Sequence, residues 1–545
     1  MKSCLSILVF LVIVFCSCQS SKHNNQEQLV FRYNESKGIT LLDPAFARNN
    51  PLIWPVNQLF NGLVQLDDSL VVKPCIAKQW ITSKDGLVYT FILRQDVYFH
   101  NSAVFKDSIG RKVTANDFVY SFNRIMDSSV ASPGLWVFSV VDKDKKGSLN
   151  GCLALNDSIF QVFLKKPFPP FLGMLSMPYC YVVPHEAIDK YGKDFRSQPV
   201  GTGPFCFKYW KEGEKLIFRR NPKYFEKDKY GRQLPYLESV SITFIADKQS
   251  ELIEFLKGNI DFMSGVYAVS KDELLTRTGN LNPKYNESVK MLTGPYLNTE
   301  YLGFLLDSNI SETNLIRSKE FRQAIGYGID RVKLMTYLRS NIGYPALNGF
   351  VPAGMPQFSN ATKGFKYDPI LSRELLKKAG YTLDGNSPTI GLATTEDYVD
   401  ICEFIQHQLS EIGIEIQVDV YPGAAYREML ANSKLKFFRA SWVADYADPE
   451  NYLTLFNSYN FSPSGPNYTH YSNTGYDQLY LESLSESDYS KRITYYKKMD
   501  SIVIADAIVI PLFYDKVIRF VNRKVEGMTS NPMNLLILKN VYKTK

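Results

Sequence analysis

The hydrophobic pattern changes period along the chain, from that of strands to that of helices and back. Leu29–Tyr33 and Leu87–Leu93 are short apolar runs rich in strand-forming residues. Thr114–Met126 has the helical period, with Thr114 as a candidate N-cap. The apolar face of this predicted helix consists of Phe118, Phe122, Ile125 and Met126. The first part of the chain therefore mixes strands and helices.

One stretch in the C-terminal half has the pattern of a complete βαβ unit. Thr389–Ala393 predicts a strand, and Glu396–Ile412 predicts an amphipathic helix ended by Gly413. Ile414–Val420 alternates apolar and polar residues and predicts a second strand. Strands joined in this way are parallel, and their crossover is expected to be right-handed.

The C-terminal part of the chain is predicted to form a helix followed by strands. Ser487–Ile504 has a helical pattern, whereas Val509–Tyr514 and Val517–Val521 predict two strands. Helices and strands alternate throughout, so the predicted fold class is α/β. The 545 residues exceed what one hydrophobic core usually organises, and several lobes are expected.

Charge and aromatic content narrow the range of partners. The chain has 62 Lys+Arg and 55 Asp+Glu, a formal net charge of +7, without a long basic run. Nucleic acid is therefore not an expected partner. Tyr and Phe each number 35, more than packing requires, which favours extended binding surfaces.

The N-terminus predicts export. Residues 1–17 read as a signal peptide, because the apolar run Leu5–Phe15 is too short to cross a bilayer of about 30 Å. Cys18 is the predicted lipidation site, with Cys16 as the weaker candidate, and residues 18–28 form a polar tether. The alternative is ordinary signal-peptide cleavage that releases a protein without lipid.

No sequence motif indicates catalysis or metal binding. GxSxG, HExxH, Walker and GxGxxG patterns are absent, and the five His residues have no metal-ligand spacing. A catalytic triad whose residues are far apart in the sequence remains an alternative, because such residues come together only in the folded structure. Beyond the tether, the chain has five cysteines and no CxxC pair, which indicates neither a zinc site nor a full disulfide framework, and one disulfide is possible. These cysteines are Cys75, Cys152, Cys180, Cys206 and Cys402.

An ordered series of segments resembles one protein family. The segments are Leu42–Pro44, Leu59–Leu63, Pro74–Trp80, Leu93–His100, Val113–Arg124, Gly201–Phe205, Asn221–Tyr224, Gly258–Asp261 and Phe321–Arg331. Each is weak alone, but together, over about residues 29–540, they resemble the family 5 extracellular solute-binding proteins. That family includes the oligopeptide- and dipeptide-binding proteins of ABC importers.

The resemblance implies a fold of the type II periplasmic binding protein class, with two α/β lobes, a hinge, a cleft and a smaller inserted domain. Residues 29–72, 196–295 and 510–545 would form lobe I, residues 73–195 the inserted domain II, and residues 296–509 lobe III. The implied partners are a peptide ligand and the permease and ATPase subunits of an ABC transporter. No cofactor, a monomeric state and a membrane-anchored periplasmic location are expected.

The segment Arg439–Pro449 resembles the cleft-lining part of oligopeptide-binding proteins. The resemblance implies that Asp445 receives the α-ammonium group of a peptide. It also implies that a strand pairs with the peptide main chain through the backbone groups of Ser441, Trp442, Val443 and Ala444. The alternative is that Asp445 and Asp448 only cap a turn before Pro449.

Three further positions have expected roles in the cleft. By resemblance, Arg439 is expected to meet a peptide carboxylate, with pairing to a neighbouring Glu as the alternative. Trp136 is expected to contribute an aromatic ring, with core packing as the alternative. Arg48 departs from the family pattern, because it stands where oligopeptide-binding members can present an acidic residue to the ligand.

Other residues of the matched segments are expected to be structural. Gly201 and Gly203 are expected to permit a tight backbone path before Pro204. His100 is assigned a structural role, and Asp117 is expected to stabilise the helix start near Thr114.

The sequence therefore predicts a peptide-binding protein without catalysis. A non-peptide solute on the same fold, such as an oligosaccharide or a chelated metal, is the first alternative. A secreted hydrolase and a lipoprotein that signals are the others.

Overall fold

The computed structural model describes residues 29–307, 314–359, 362–381 and 387–544. The predicted signal peptide, the lipidation site Cys18 and most of the tether lie outside these ranges. Among the helices of the described ranges, none is both long enough and apolar enough to cross a bilayer.

The strands contribute to one large sheet and several small ones. In chain order they are β1 Val30–Asn34, β2 Val64–Leu66, β3 Val72–Pro74, β4 Ala77–Thr82, β5 Val88–Leu93, β6 Cys152–Asn156, β7 Ile159–Phe163, β8 Phe205–Lys211, β9 Lys215–Arg220, β10 Ser239–Thr243, β11 Phe262–Ser264, β12 Val289–Phe304, β13 Tyr344–Pro345, β14 Thr389–Thr395, β15 Glu415–Tyr421, β16 Phe437–Val443, β17 Val509–Asn522, β18 Val525–Glu526 and β19 Tyr542–Lys543.

The helices pack around these sheets. In chain order they are α1 Asn50–Leu59, α2 Ala115–Met126, α3 Phe171–Met174, α4 His185–Tyr191, α5 Lys248–Leu256, α6 Ala268–Leu274, α7 Asn314–Arg317, α8 Lys319–Gly328, α9 Arg331–Tyr337, α10 Pro369–Lys378, α11 Val399–Ser410, α12 Gly423–Ala431, α13 Glu450–Leu453, α14 Thr474–Ser485 and α15 Tyr489–Ala505.

An eleven-stranded sheet runs through the molecule in the order β15-β14-β16-β12-β17-β11-β1-β10-β9-β8, with β13 paired to β17. The long antiparallel strands β12 and β17 connect its two ends. β12 pairs with β16 from Asn298 to Phe304, whereas β17 pairs with β11 from Arg519 to Val521. The register between β12 and β17 shifts between Pro295 and Thr299. This irregular part of the β12–β17 pairing, here called the crossing, connects the two halves of the sheet.

The periodic patterns correspond to observed elements. Helix α2 buries Phe118, Phe122 and Ile125, and its Thr114 and Asp117 form the capping box that the sequence suggested. The predicted βαβ unit is β14, α11 and β15, and its strands are parallel. Hydrophobic periodicity located these elements because each one has a buried face and a solvent face.

The two strands predicted at the C-terminal end are one continuous strand, β17. The polar pair Asp515 and Lys516 interrupts the apolar pattern, yet the backbone stays extended because β12 lies alongside it. Ile510 and Leu512 pack in a core with residues of the range predicted as lobe III, such as Leu302 and Phe304. We therefore propose that β17 changes lobe near Asp515 rather than at residue 510, and the other domain limits stay predictions.

A four-stranded antiparallel sheet, β4-β5-β7-β6, forms a separate layer next to the large sheet. It lies within the part of the chain predicted as the inserted domain II. Its apolar side chains, such as Phe91 and Phe160, share one core with Phe31 and Leu59 of the N-terminal half. The two layers are therefore joined by continuous packing.

The glycines of the Gly201–Phe205 segment serve the backbone, as expected. A Cβ atom at Gly201 or Gly203 would overlap the Leu59 backbone. The buried His100 ring lies against this turn, with Nε2 3.0 Å from the Gly203 carbonyl oxygen. Burial lowers the pKa of His100 to about 4, so the ring is neutral at physiological pH. These residues are structural.

Candidate functional site

The C-terminal half of β16 has one paired edge and one open edge. On the paired edge, β16 runs antiparallel to β12. On the other edge, β14 meets β16 only where Ala393 lies opposite Phe438. Within the described ranges, no strand continues that edge past Phe438. An extended ligand could therefore add to β16 beside Ser441 and Val443.

The register decides which backbone groups face the open edge. Ala444 donates its N–H to the Leu297 carbonyl oxygen at 2.9 Å, so Ala444 faces β12. Directions alternate along a strand, and Trp442 therefore also bonds to β12, opposite Thr299. Ser441 and Val443 point their N–H and C=O groups to the open edge. Of the four residues predicted to pair with a peptide main chain, Ser441 and Val443 have backbone groups directed to the open edge, whereas Trp442 and Ala444 bond to β12.

Asp445 stands at the end of this edge. Its side chain is reached by solvent, yet surrounding protein raises its pKa to about 6, and a hydrogen bond with Asn451 lowers it only in part. A carboxylate that is both accessible and poorly hydrated is typical of the wall of a cleft. A ligand ammonium group placed there would replace the lost hydration.

Aromatic rings line the wall next to Asp445. The exposed Trp136 lies with its ring centroid 6.1 Å from that of Tyr446, the neighbour of Asp445. The Tyr179 ring lies on Gly134, two residues before Trp136. Burial and, after it, the Asp445 carboxylate raise the pKa of Tyr179 to about 12. Trp136, expected in the cleft from the sequence, is therefore beside the candidate anchor.

Comparison with known proteins agrees with this architecture. Residues 71–463 match the family described as bacterial extracellular solute-binding proteins, family 5 Middle. The chain belongs to this family. It is a solute-binding protein that acts outside the cytoplasm, with the fold of type II periplasmic binding proteins.

Individual relatives in family 5 are similar over nearly their whole length. The dipeptide-binding protein DppE of Bacillus subtilis (strain 168) is 25% identical over 534 residues, covering 94% of this chain and 91% of DppE. The glutathione-binding protein GsiB of Escherichia coli (strain K12) is 25% identical over 500 residues and covers 90% of each chain.

A solved structure shows the same fold. It is the periplasmic binding protein DppA from Helicobacter pylori in complex with the peptide STSA, at 24% identity and a TM-score of 0.74. The match covers 96% of this chain and 100% of DppA.

In this family 5 structure, Arg439 has partners within the protein. Its buried guanidinium pairs with the buried carboxylate of Glu300, and the Tyr398 ring lies over it. Glu300 also accepts from Asn298 Nδ2 at 3.1 Å, which donates in turn to Asp515 at 2.6 Å. The arrangement corresponds to the alternative considered for Arg439, pairing with a neighbouring Glu, and its role in ligand binding stays a prediction.

Asn451 is a positioning residue that sequence reasoning missed. Its Oδ1 accepts from Trp442 Nε1 at 3.0 Å and from the backbone N–H of Asp445 at 3.2 Å. Asn451 is buried, so it holds the strand and the anchor in a fixed relation. No sequence signal distinguished it from the other residues after Pro449.

The Tyr446 hydroxyl is hydrogen-bonded to a buried carboxylate, that of Glu450. The hydroxyl groups of Tyr446 and Tyr480 both donate to Glu450, which is buried. Burial raises the pKa of Glu450 to about 7, while these two hydrogen bonds lower it in part. The ring that faces Trp136 is thus fixed by polar contacts below the cleft wall.

One Ser-His-Asp arrangement occurs away from this wall. Ser433 Oγ is 2.9 Å from His470 Nε2, and His470 Nδ1 is 3.3 Å from Asp307 Oδ2. However, Nε2 is also 3.0 Å from the Ser462 carbonyl oxygen, which can only accept. This contact requires a proton on Nε2, and the tautomer that supplies it has no lone pair on Nε2 to take a proton from Ser433. The geometry is that of a structural tie.

The remaining candidate sites are a metal site, the cysteines and one cavity. Among the described residues, no cluster of three potential ligands from His, Cys, Asp and Glu could hold a metal ion. Cys75, Cys152, Cys180, Cys206 and Cys402 are all free thiols. A cavity of about 280 Å³ between Asn57–Asp68 and the C-terminal segment shares no lining residue with the Asp445 wall.

Proposed function

We propose that this protein captures peptides by their main chain and their free amino end, and delivers them to an ABC importer. The ligand adds as a strand to the open edge of β16 at Ser441 and Val443, and its ammonium group pairs with Asp445. The observation that carries this proposal is the open edge ending at an accessible carboxylate whose pKa is raised to about 6.

The chemistry suits a ligand of variable sequence. Main-chain groups and the amino terminus are the features that all unmodified peptides share, so an edge strand and one carboxylate suffice to recognise them. The relatives DppE and GsiB, by their names, bind a dipeptide and glutathione. Both ligands have a free amino group, in agreement with an ammonium site.

The transport role involves partners and an anchor. We propose that the lobes close on the ligand about the β12–β17 crossing, and that the closed form docks on the permease subunits while the ATPase supplies the energy. Cys18 would attach the protein to the membrane by lipid. Neither capture nor closure requires a cofactor or nucleic acid, and a monomer suffices.

Titration calorimetry tests the peptide proposal. The soluble part beginning after Cys18 is titrated with tri- to pentapeptides, with free or acetylated amino ends, using the wild type and Asp445→Asn. We expect acetylation and the substitution each to weaken binding by at least about 30-fold, since loss of one partner of an enclosed ion pair costs about 2 kcal/mol or more. Binding that is indifferent to both changes refutes the amino-end anchor and points to a non-peptide solute.

The anchor has its own test. In cells given a labelled fatty acid, we expect the wild type and Cys16→Ser to incorporate label and to sediment with membranes. Cys18→Ser is expected to do neither. Label retained in Cys18→Ser would exclude Cys18 as the lipidation site.

A further inference from the structure

A rigid turn places Arg48 at the edge of the candidate cleft. The Asp43 side chain accepts from the Ala45 N–H at 3.0 Å, and Ser132 Oγ donates to the Ala45 carbonyl oxygen at 2.6 Å. The Arg48 N–H then donates to the Phe46 carbonyl oxygen at 2.9 Å. Asp43 and Ser132 are buried, so the backbone that leads to Arg48 is fixed.

Tyr179 connects this turn to the Asp445 wall. The turn Pro44–Phe46 packs against Pro178–Cys180. The Tyr179 ring lies on Gly134, where any Cβ atom would overlap it, and Trp136 follows two residues later to face Tyr446. These contacts place Tyr179 between Arg48 and Asp445, and its hydroxyl interacts with both charges: burial raises its pKa most, the Asp445 carboxylate raises it further and Arg48 lowers it.

The two charges on this wall have no salt-bridge partner of their own. Among the residues that the structure describes, neither Arg48 nor Asp445 forms an ion pair with a side chain. Both side chains are reached by solvent. Arg124 and Arg439, by contrast, pair with Asp43 and Glu300. A cation left unpaired near an anion provides a second, opposite charge for a ligand.

We propose that Arg48 binds a carboxylate that the peptide carries close to its ammonium group, so that the cleft prefers ligands with both charges near one end. This inference rests on the proposed function, because Asp445 must first place the ammonium. The carboxylate has two sources, an acidic side chain near the amino end or the terminal carboxylate of a very short peptide. The planar guanidinium offers paired donors to either.

Peptide pairs that differ in one charge test the inference. Calorimetry at low salt compares C-amidated tri-alanine with variants bearing Glu or Gln at the first, second or third position. It also compares dialanine as free acid and amide. The proteins are the wild type, Asp445→Asn, Arg48→Gln and Arg48→Lys. The matched control is Lys78→Gln on β4, which removes the same charge at an exposed position elsewhere.

We expect at least one carboxylate-bearing peptide to bind the wild type about fivefold more tightly than its neutral counterpart, the upper range for a solvent-exposed ion pair. Arg48→Gln is expected to abolish that preference and to leave neutral peptides within about twofold. Arg48→Lys should retain part of the preference, and Lys78→Gln all of it. The position of the preferred Glu, or the dialanine result, identifies the source of the carboxylate.

Two outcomes overturn the inference and are distinguishable. If neutral peptides bind in a manner that requires Asp445, but no carboxylate preference exists or it survives in Arg48→Gln, only the role of Arg48 is wrong. If no peptide binds the wild type, the proposed function fails together with this inference.

Discussion

The raised pKa of Asp445 makes ligand binding pH-dependent in a defined direction. In the free protein this carboxyl has a pKa of about 6. A bound ammonium group stabilises the ionised form and lowers the pKa, so binding below pH 6 must release a proton. The affinity for the peptide should therefore reach its full value above the free-protein pKa and decrease as the pH falls through 6.

The magnitude follows from the ionised fraction of Asp445. With a pKa of about 6 and a protonated form that does not bind, affinity falls about tenfold between pH 7.5 and 5, and about 30-fold by pH 4.5. The peptide amino group has a pKa of about 8, so it stays charged over this range. Proton release on binding should approach one per peptide at pH 5.

Calorimetry in buffers of different ionisation enthalpy measures affinity and proton release together. Asp445→Asn keeps the size of the side chain but cannot titrate, so its weak binding should be independent of pH from 4.5 to 7.5. A wild-type affinity that is equal at pH 7.5 and 5, without proton release, would refute the assignment of Asp445 as the ammonium partner.

Three further results are expected. In a urea titration, Gly201→Ala should lower the free energy of unfolding by about 3 kcal/mol, because the added Cβ meets the Leu59 backbone. The control Gly173→Ala, whose Cβ meets nothing within 4 Å, should leave that free energy nearly unchanged. Glu300→Gln should cost about 3 to 5 kcal/mol, since it leaves the buried Arg439 charge unpaired, and an unchanged unfolding midpoint would contradict that pair. Tetra- and pentapeptides with amidated carboxyl ends should bind within about twofold of the free acids, because Arg439 is already engaged; a tenfold loss measured by calorimetry would restore Arg439 as a carboxylate site.

The periodic elements were predictable from sequence, and so was most of β17, whereas β12, the other strand of the crossing, was not. Helix α2 and the β14-α11-β15 unit each have one buried face, and such faces leave a clear period. β12 was missed, since Gly294, Pro295 and Asn298 interrupt its apolar residues at the crossing. Its extended backbone is imposed by pairing with distant strands.

The site was predictable only in outline. The resemblance pointed to Asp445 and to its strand, but the direction of each backbone group depends on which neighbour β16 bonds to. That partner, β12, lies more than a hundred residues away along the chain. The identity of Glu300 as the partner of Arg439 was missed for the same reason, because the two residues are more than a hundred positions apart. Asn451 is close in sequence to Trp442 and Asp445, but its contacts depend on how the chain turns after β16.

The most direct test of the account is hydrogen exchange at single-residue resolution along β16, with and without a saturating tripeptide. Trp442 and Ala444 bond to β12 and should be protected in both states. The amides of Ser441 and Val443 should exchange fast in the free protein and become protected when the peptide binds. Bound peptide that leaves these two amides unprotected would contradict strand addition at this edge.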